Sequence, residues 1–228
     1  MKYKSVEKAR FLSRPNRFIA RVELFGEELT VHVKNTGRCR ELLVPGCTVY
    51  LERSDNPNRK TLYDLIAVEK GDILINMDSQ VVNGAVYEWL PKSGIFSENA
   101  KIYRERTNGN SRFDLYVEDG ERKAFLEVKG VTLEKEGRAL FPDAPTERGV
   151  KHLRHMTEIV SEGYEAYVLF VIQMKGCISF SPNDGMHKDF GDALRQAHKA
   201  GVGILAVDCK VTPDSIEIDS PVPVDLKG

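Results

Sequence analysis

The chain lacks the marks of a membrane, secreted or thiolate-metal protein. No apolar run approaches the ~20 residues a membrane helix needs; the longest, "AYVLFVI" at 166–172, has the length of a buried strand. The opening "MKYKSVEKARF" is charged and carries no apolar core segment, so it is not a secretory signal. Cysteines stand only at 39, 47, 177 and 209, with no CxxC and no Cys/His pair at zinc spacing. They read as reduced, buried thiols, and the expected setting is the cytoplasm, with no membrane partner. Net charge is also nearly absent, at −1, which excludes a chain-wide attraction to polyanions. Internal repeats and low-complexity linkers are missing. What remains is a globular composition, 41% hydrophobic and 29% charged, in 228 residues, enough for one large domain or two modest ones.

The small net charge conceals an asymmetry. Residues 1–82 hold 14 Lys/Arg against 11 Asp/Glu, and the remainder 19 against 23; within 1–21, seven basic residues face the single Glu7. Such clustering is either a local polyanion-binding edge or a solvated basic face.

Two halves with different periodicity follow. Up to about residue 82 the chain reads as short strands: 17–25 and 28–34 around a Gly26-Glu27 turn, then 47–54, 61–70 and 72–77. Five strands in that length predict a small closed or nearly closed barrel, for which the OB type is one candidate, with Arg14, Arg17, Lys34, Arg38 and Arg40 as candidate nucleic-acid contacts. His32 and "NTGR" (35–38) are either binding residues or a turn. Residues 83–228 read as a second, α/β domain: a short helix ending at Pro91–Gly94, then strands at 101–107, 112–118 and 123–131. A helix follows, with Asp143 as N-cap, Pro145 in the first turn, and apolar positions Val150, Leu153, Met156, Ile159 and Val160. A strand at 166–173, a helix at 187–200 and strands at 202–209 and 215–219 complete the pattern.

One hairpin, "SRFDLYVEDGERKAFLEVKGVTL" (111–133), carries three charges among apolar residues. Strand side chains alternate with period two, so a two- or four-residue turn puts Asp114, Glu127 and Lys129 on one face. Opposed carboxylates roughly 5 Å apart repel unless a cation lies between them. Mg²⁺ or Mn²⁺ suits two carboxylates, with Lys129 beside a scissile phosphate. The competing explanation is an ion pair on a half-exposed sheet face.

Asp114 followed by Glu127-Val128-Lys129, within the order helix, three strands, helix, strand, resembles the PD-(D/E)xK nuclease superfamily. The literal Pro142-Asp143 lies downstream of this set and does not fill the motif. "RPNRF" (14–18), "VHVKNTGRCRELLVPG" (31–46), "NSRFDL" (110–115), "EVKGVTL" (127–133) and "FPDAPTERGVKHLRHM" (141–156) together resemble the sugar fermentation stimulation protein family. The resemblance implies an OB-type barrel preceding a PD-(D/E)xK-like α/β domain, DNA binding and a role in sugar-metabolism regulation. It leaves open a metal-dependent nuclease or a non-catalytic DNA-binding regulator on the same fold. Glu105, nine residues before Asp114, and Glu88 on the preceding helix compete as a further metal acid. Arg112 shares the face of Asp114 and either binds phosphate or pairs with an acid. Arg148, Lys151, His152 and His155 form a polar stripe on the later helix, suited to a phosphate backbone.

Overall fold

The computed structural model describes residues 1–35 and 37–227. Six strands build the first half: β1 (Val6–Asn16), β2 (Ile19–Leu24), β3 (Glu27–Val33), β4 (Thr48–Arg53), β5 (Tyr63–Lys70) and β6 (Ile73–Asn76). They pair in the order β3-β2-β1-β4-β5-β6, and a parallel contact of β3 with β5 closes the first five into a barrel. Closure leaves these strands without free edges. Phe11, Val22, Val31, Leu51 and Val68 fill the interior. β1 is the strand that the sequence reading lacks. Its Lys8 and Arg10 face solvent while Ala9 and Phe11 are buried, so charge masks a period-two pattern. The β2–β3 turn is Phe25-Gly26, one residue earlier than expected. Both residues have positive φ, 54° and 83°, as a two-residue hairpin turn following the strand twist requires.

The second half begins with α1 (Val81–Trp89) and a single 3-10 turn (Leu90–Lys92). Next come β7 (Lys101–Asn108), β8 (Ser111–Asp119), β9 (Arg122–Val131), β10 (Leu133–Lys135) and β11 (Arg138–Phe141). The remaining elements are α2 (Glu147–Ser161), β12 (Glu165–Ile172), β13 (Ser179–Pro182), α3 (Asp184–Lys199), β14 (Gly203–Thr212) and β15 (Ser215–Pro221). The main sheet has the order β15-β14-β12-β9-β8-β7, with β9, β12 and β14 parallel. The fold is therefore an OB-type barrel followed by an α/β domain. Short β10, β11 and β13 form a separate small sheet that the sequence reading does not contain.

Side chains sort into two layers, by period two on β9 and β12, while on β8 the alternation breaks at Asp114 and puts Phe113 and Leu115 in different layers. Leu115, Leu126, Val128 and Leu169 pack against Val82 and Val86 of α1. Phe113, Phe125, Val168 and Phe170 pack with Leu153 and Met156 of α2 and Leu194 of α3, in a core continuous with the barrel interior. The barrel also meets the sheet through hydrogen bonds. Asn76 N–H donates to the Gln173 carbonyl at 2.9 Å, and Gln173 Nε2 donates to Asn76 Oδ1 at 2.9 Å.

α2 starts later than expected. Thr146 is its N-cap, with the hydroxyl accepting the Gly149 N–H at 3.1 Å, so Pro145 precedes the helix. Asp143 turns toward the barrel instead, against Gly37. Among the described residues no helix is long and apolar enough to cross a membrane.

Candidate functional site

The β8–β9 hairpin turns at Gly120-Glu121, flanked by the pair Asp119↔Arg122. This is the register predicted for a four-residue turn 119–122, reached with a tighter turn. Its ladder ends at Leu115↔Leu126, and one further step sets Asp114 opposite Glu127. There the strands part, and the Asp114 side chain takes over the ladder. Its Oδ2 accepts the Val128 N–H at 2.8 Å, while Oδ1 accepts from Asn83 Nδ2 of α1 at 2.8 Å. β9 is flanked by β8 and β12, so Glu127 and Lys129 stand on an interior strand.

Glu127 is almost completely buried, at 4% exposure. Its Oε1 receives Lys129 Nζ at 2.5 Å and lies 2.6 Å from His152 Nδ1. Its Oε2 is buried with no hydrogen-bond partner among the described residues. Burial pushes the Glu127 carboxyl up, but His152 and Lys129 outweigh this and hold it below the usual carboxylate range. Asp114 moves the other way. Burial and then the Glu127 charge raise its carboxyl, against the Val128 N–H, Lys129 and Asn83, which lower it. The two acids thus behave as an interacting pair.

Asp114, Glu127 and Lys129 line one cleft of about 590 Å³, polar in its lining and bounded by both domains. Arg17, Asn35 and Gly37 come from the barrel; residues 140–148 form the opposite wall. The carboxylate of Asp143 lies so close to Gly37 that a Cβ there would approach its Oδ2 to 2.0 Å. The loop before α2 therefore touches the barrel.

The other sequence candidates are distributed unevenly. Arg17 and Arg148 line the cleft. Arg38 and Arg40 line an adjoining recess on the barrel, and Arg112 and Lys151 a groove beside α2. Arg14 is committed to the fold: its guanidinium donates to the carbonyls of Arg17, Asn35, Gly37 and Arg38. Lys34 is likewise enclosed by Glu52, Asp64 and Asp78. His152 is buried behind Glu127 instead of facing solvent, because α2 packs that part of its stripe onto the sheet. His32 Nδ1 contacts Asp64 Oδ1 at 3.1 Å; of "NTGR", Thr36 lies outside the described residues.

Neither further acid is brought into the cleft. Glu105 falls opposite Asp114 in the β7–β8 register, yet its exposed side chain pairs with Arg112 at 3.5 Å. Glu88 receives the N-terminal ammonium at 2.9 Å, away from the cleft lining. Among the described residues no cluster of three or more His, Cys, Asp or Glu side chains forms a metal cage.

Two cleft residues were not singled out from sequence. Asn83 is the polar interruption of the apolar "VVNGAV" run, and that interruption was the available signal. Gln173 directly follows the apolar strand β12 at its carboxyl end, where open α/β sheets place ligands. Its Nε2 donates to Asn76 Oδ1 and to the Asp78 carbonyl at 3.0 Å, which fixes the amide orientation. The Oε1 is then buried without a partner among the described residues, 2.5 Å from where a Cβ on Gly130 would stand.

Comparison with known proteins agrees with the two-part fold. A family model described as the SfsA N-terminal OB domain matches residues 12–77, and one described as the sugar fermentation stimulation protein RE domain matches residues 80–215. Sugar fermentation stimulation protein homologues from Desulfitobacterium hafniense strain Y51 and Clostridium beijerinckii are 62% and 56% identical over 226 residues. These alignments cover 99% of this chain in both cases and 99% and 100% of the relatives. The solved structure of Pyrococcus furiosus SfsA in complex with Ca²⁺ superposes with a TM-score of 0.88 at 25% identity. That match covers 99% of this chain and 98% of its counterpart.

Proposed function

The chain belongs to the sugar fermentation stimulation protein family, and we propose that it is a DNA-binding protein whose cleft is a metal-dependent phosphodiester-hydrolysing site. One observation carries this reading: Glu127 Oε2 is buried without a hydrogen-bond partner among the described residues, in a cleft that a second, half-buried acid, Asp114, also lines. An ionised oxygen so placed is costly unless a cation completes it. The donor set consists of hard carboxylate oxygens, which fits Mg²⁺ or Mn²⁺. Mg²⁺ commonly uses only one or two carboxylates and keeps several waters, so a third acid is not required. The Ca²⁺ in the Pyrococcus relative belongs to the same class of hard, oxygen-seeking cations.

In this reading Asp114 and Glu127 hold the cation, which when bound would acidify a water and polarise the phosphoryl oxygens. Asn83 and the Val128 N–H orient Asp114, and His152 orients Glu127. Lys129 leaves Glu127 to place its ammonium against the negative charge that grows on the phosphate. Arg17 and Arg148 hold the backbone at the cleft, with Arg38, Arg40, Arg112 and Lys151 beyond it.

The test is incubation of the protein with single- and double-stranded DNA and RNA, in Mn²⁺, Mg²⁺ or EDTA. Cleavage is expected with metal only, and Glu127→Ala or Lys129→Ala should lose it by at least about 100-fold. Binding without cleavage by the wild type, or full activity in either variant, would reject the hydrolytic reading.

A further inference from the structure

Three depressions on this surface share lining residues. Arg17 and Gly37 line both the cleft and the barrel recess that holds Arg38 and Arg40. Arg148 lines both the cleft and the groove beside α2, where Arg112, Lys151 and Arg154 are found, with Glu158 and Glu162 also in the lining. Taken in order the three make a track, basic on either side of an acidic centre. Phe18, outside the lining itself, is 49% exposed, and the guanidinium of the lining residue Arg17 sits 5.3 Å from its ring centroid.

The middle of the track is narrow. Asp143 and Gly37, both in its lining, are in contact at one side, and its volume, about 590 Å³, lies in the range of sites that enclose one small ligand, ~300–1,000 Å³. A duplex presents two backbones across a major groove about 12 Å wide and needs an open face. A single strand needs only one line of cations and flat groups on which bases stack. We infer that the occupant of this track is a single polynucleotide strand, with Phe18 and Arg17 receiving a base, and with Arg148 passing the backbone from the cleft into the α2 groove. The inference rests on the proposed nucleic-acid role and deepens it to a substrate class.

The experiment is fluorescence anisotropy in EDTA, where no cleavage intervenes, with a labelled 20-nucleotide oligo-dT and a blunt 20-base-pair duplex. The single strand should bind at least about tenfold more tightly. Phe18→Ala should weaken it about tenfold and Arg148→Glu at least as much, each leaving the melting temperature unchanged because both side chains are on the surface. Equal or tighter duplex binding, no binding of either probe, or an unchanged affinity in both variants overturns the inference. Calorimetric titration with Mn²⁺ alone reports on the acidic centre separately, so failure of the track and failure of the metal site are distinguishable.

Discussion

At the residue scale the proposed cation site would carry a cost to the fold, and that cost falls on Asp114. Burial and then the Glu127 charge raise its carboxyl, so ionised Asp114 destabilises the unliganded protein, whereas Glu127 is held ionised by His152 and Lys129. Asp114→Asn can still accept the Val128 N–H and removes one of the two charges. It should raise the melting temperature without metal by up to a few degrees, as relief of about 1 kcal/mol would, while losing any stabilisation by Mn²⁺. Thermal unfolding with and without the ion measures both. Gly130→Ala addresses the other orphan acceptor. A Cβ would stand 2.5 Å from Gln173 Oε1, so the amide must move, although neither Asp114 nor Glu127 is altered. A destabilisation of roughly 1–3 kcal/mol is expected in urea unfolding, as for other overpacked sites.

At the element scale, the helix α2 joins the cleft wall to the core, and its start depends on one side chain. Thr146→Ala removes the cap on Gly149 N–H and should cost about 1 kcal/mol, measured by denaturant midpoint; Thr146→Ser should restore most of it. The same helix marks what could be read from sequence. Apolar spacing at Val150, Leu153, Met156, Ile159 and Val160 identifies its buried face: the first four are buried and Val160 is half-buried against the core. The cap was misplaced by three residues because Asp143 and Thr146 are both good caps, and only the contact of Asp143 with Gly37 decides between them. The hairpin's charges were legible because Glu127 interrupts an apolar strand. The position of Glu105 was not legible, since its positive φ, 54°, turns it away from a register that would suggest otherwise. β1 escaped for the opposite reason: its outward face is so basic that the alternation reads as a charged tail.

At the scale of the whole molecule, the barrel and the sheet act together through the link that follows β6. Asp64 of β5 is buried with Lys34 and Arg59 around it. Burial alone would push its carboxyl up, yet those cations hold it at about 2, below the ordinary 3.8. A depressed value adds stability that is complete above pH ~4 and is lost as pH falls through about 2. Acid unfolding of the wild type should therefore steepen in that window. Asp64→Asn should flatten it and lower stability at pH 7. Lys34 also reaches Asp78, whose carbonyl accepts from Gln173, so this charge cluster continues to the edge of the cleft.

The account stands or falls on whether the cleft binds a divalent cation through Asp114 and Glu127. Isothermal titration of Mn²⁺ into the wild type and into Glu127→Gln is the direct measurement. The account predicts saturable binding at one principal site in the wild type and its loss in the variant, both proteins remaining folded. No binding to the wild type, or equal binding to Glu127→Gln, would contradict it.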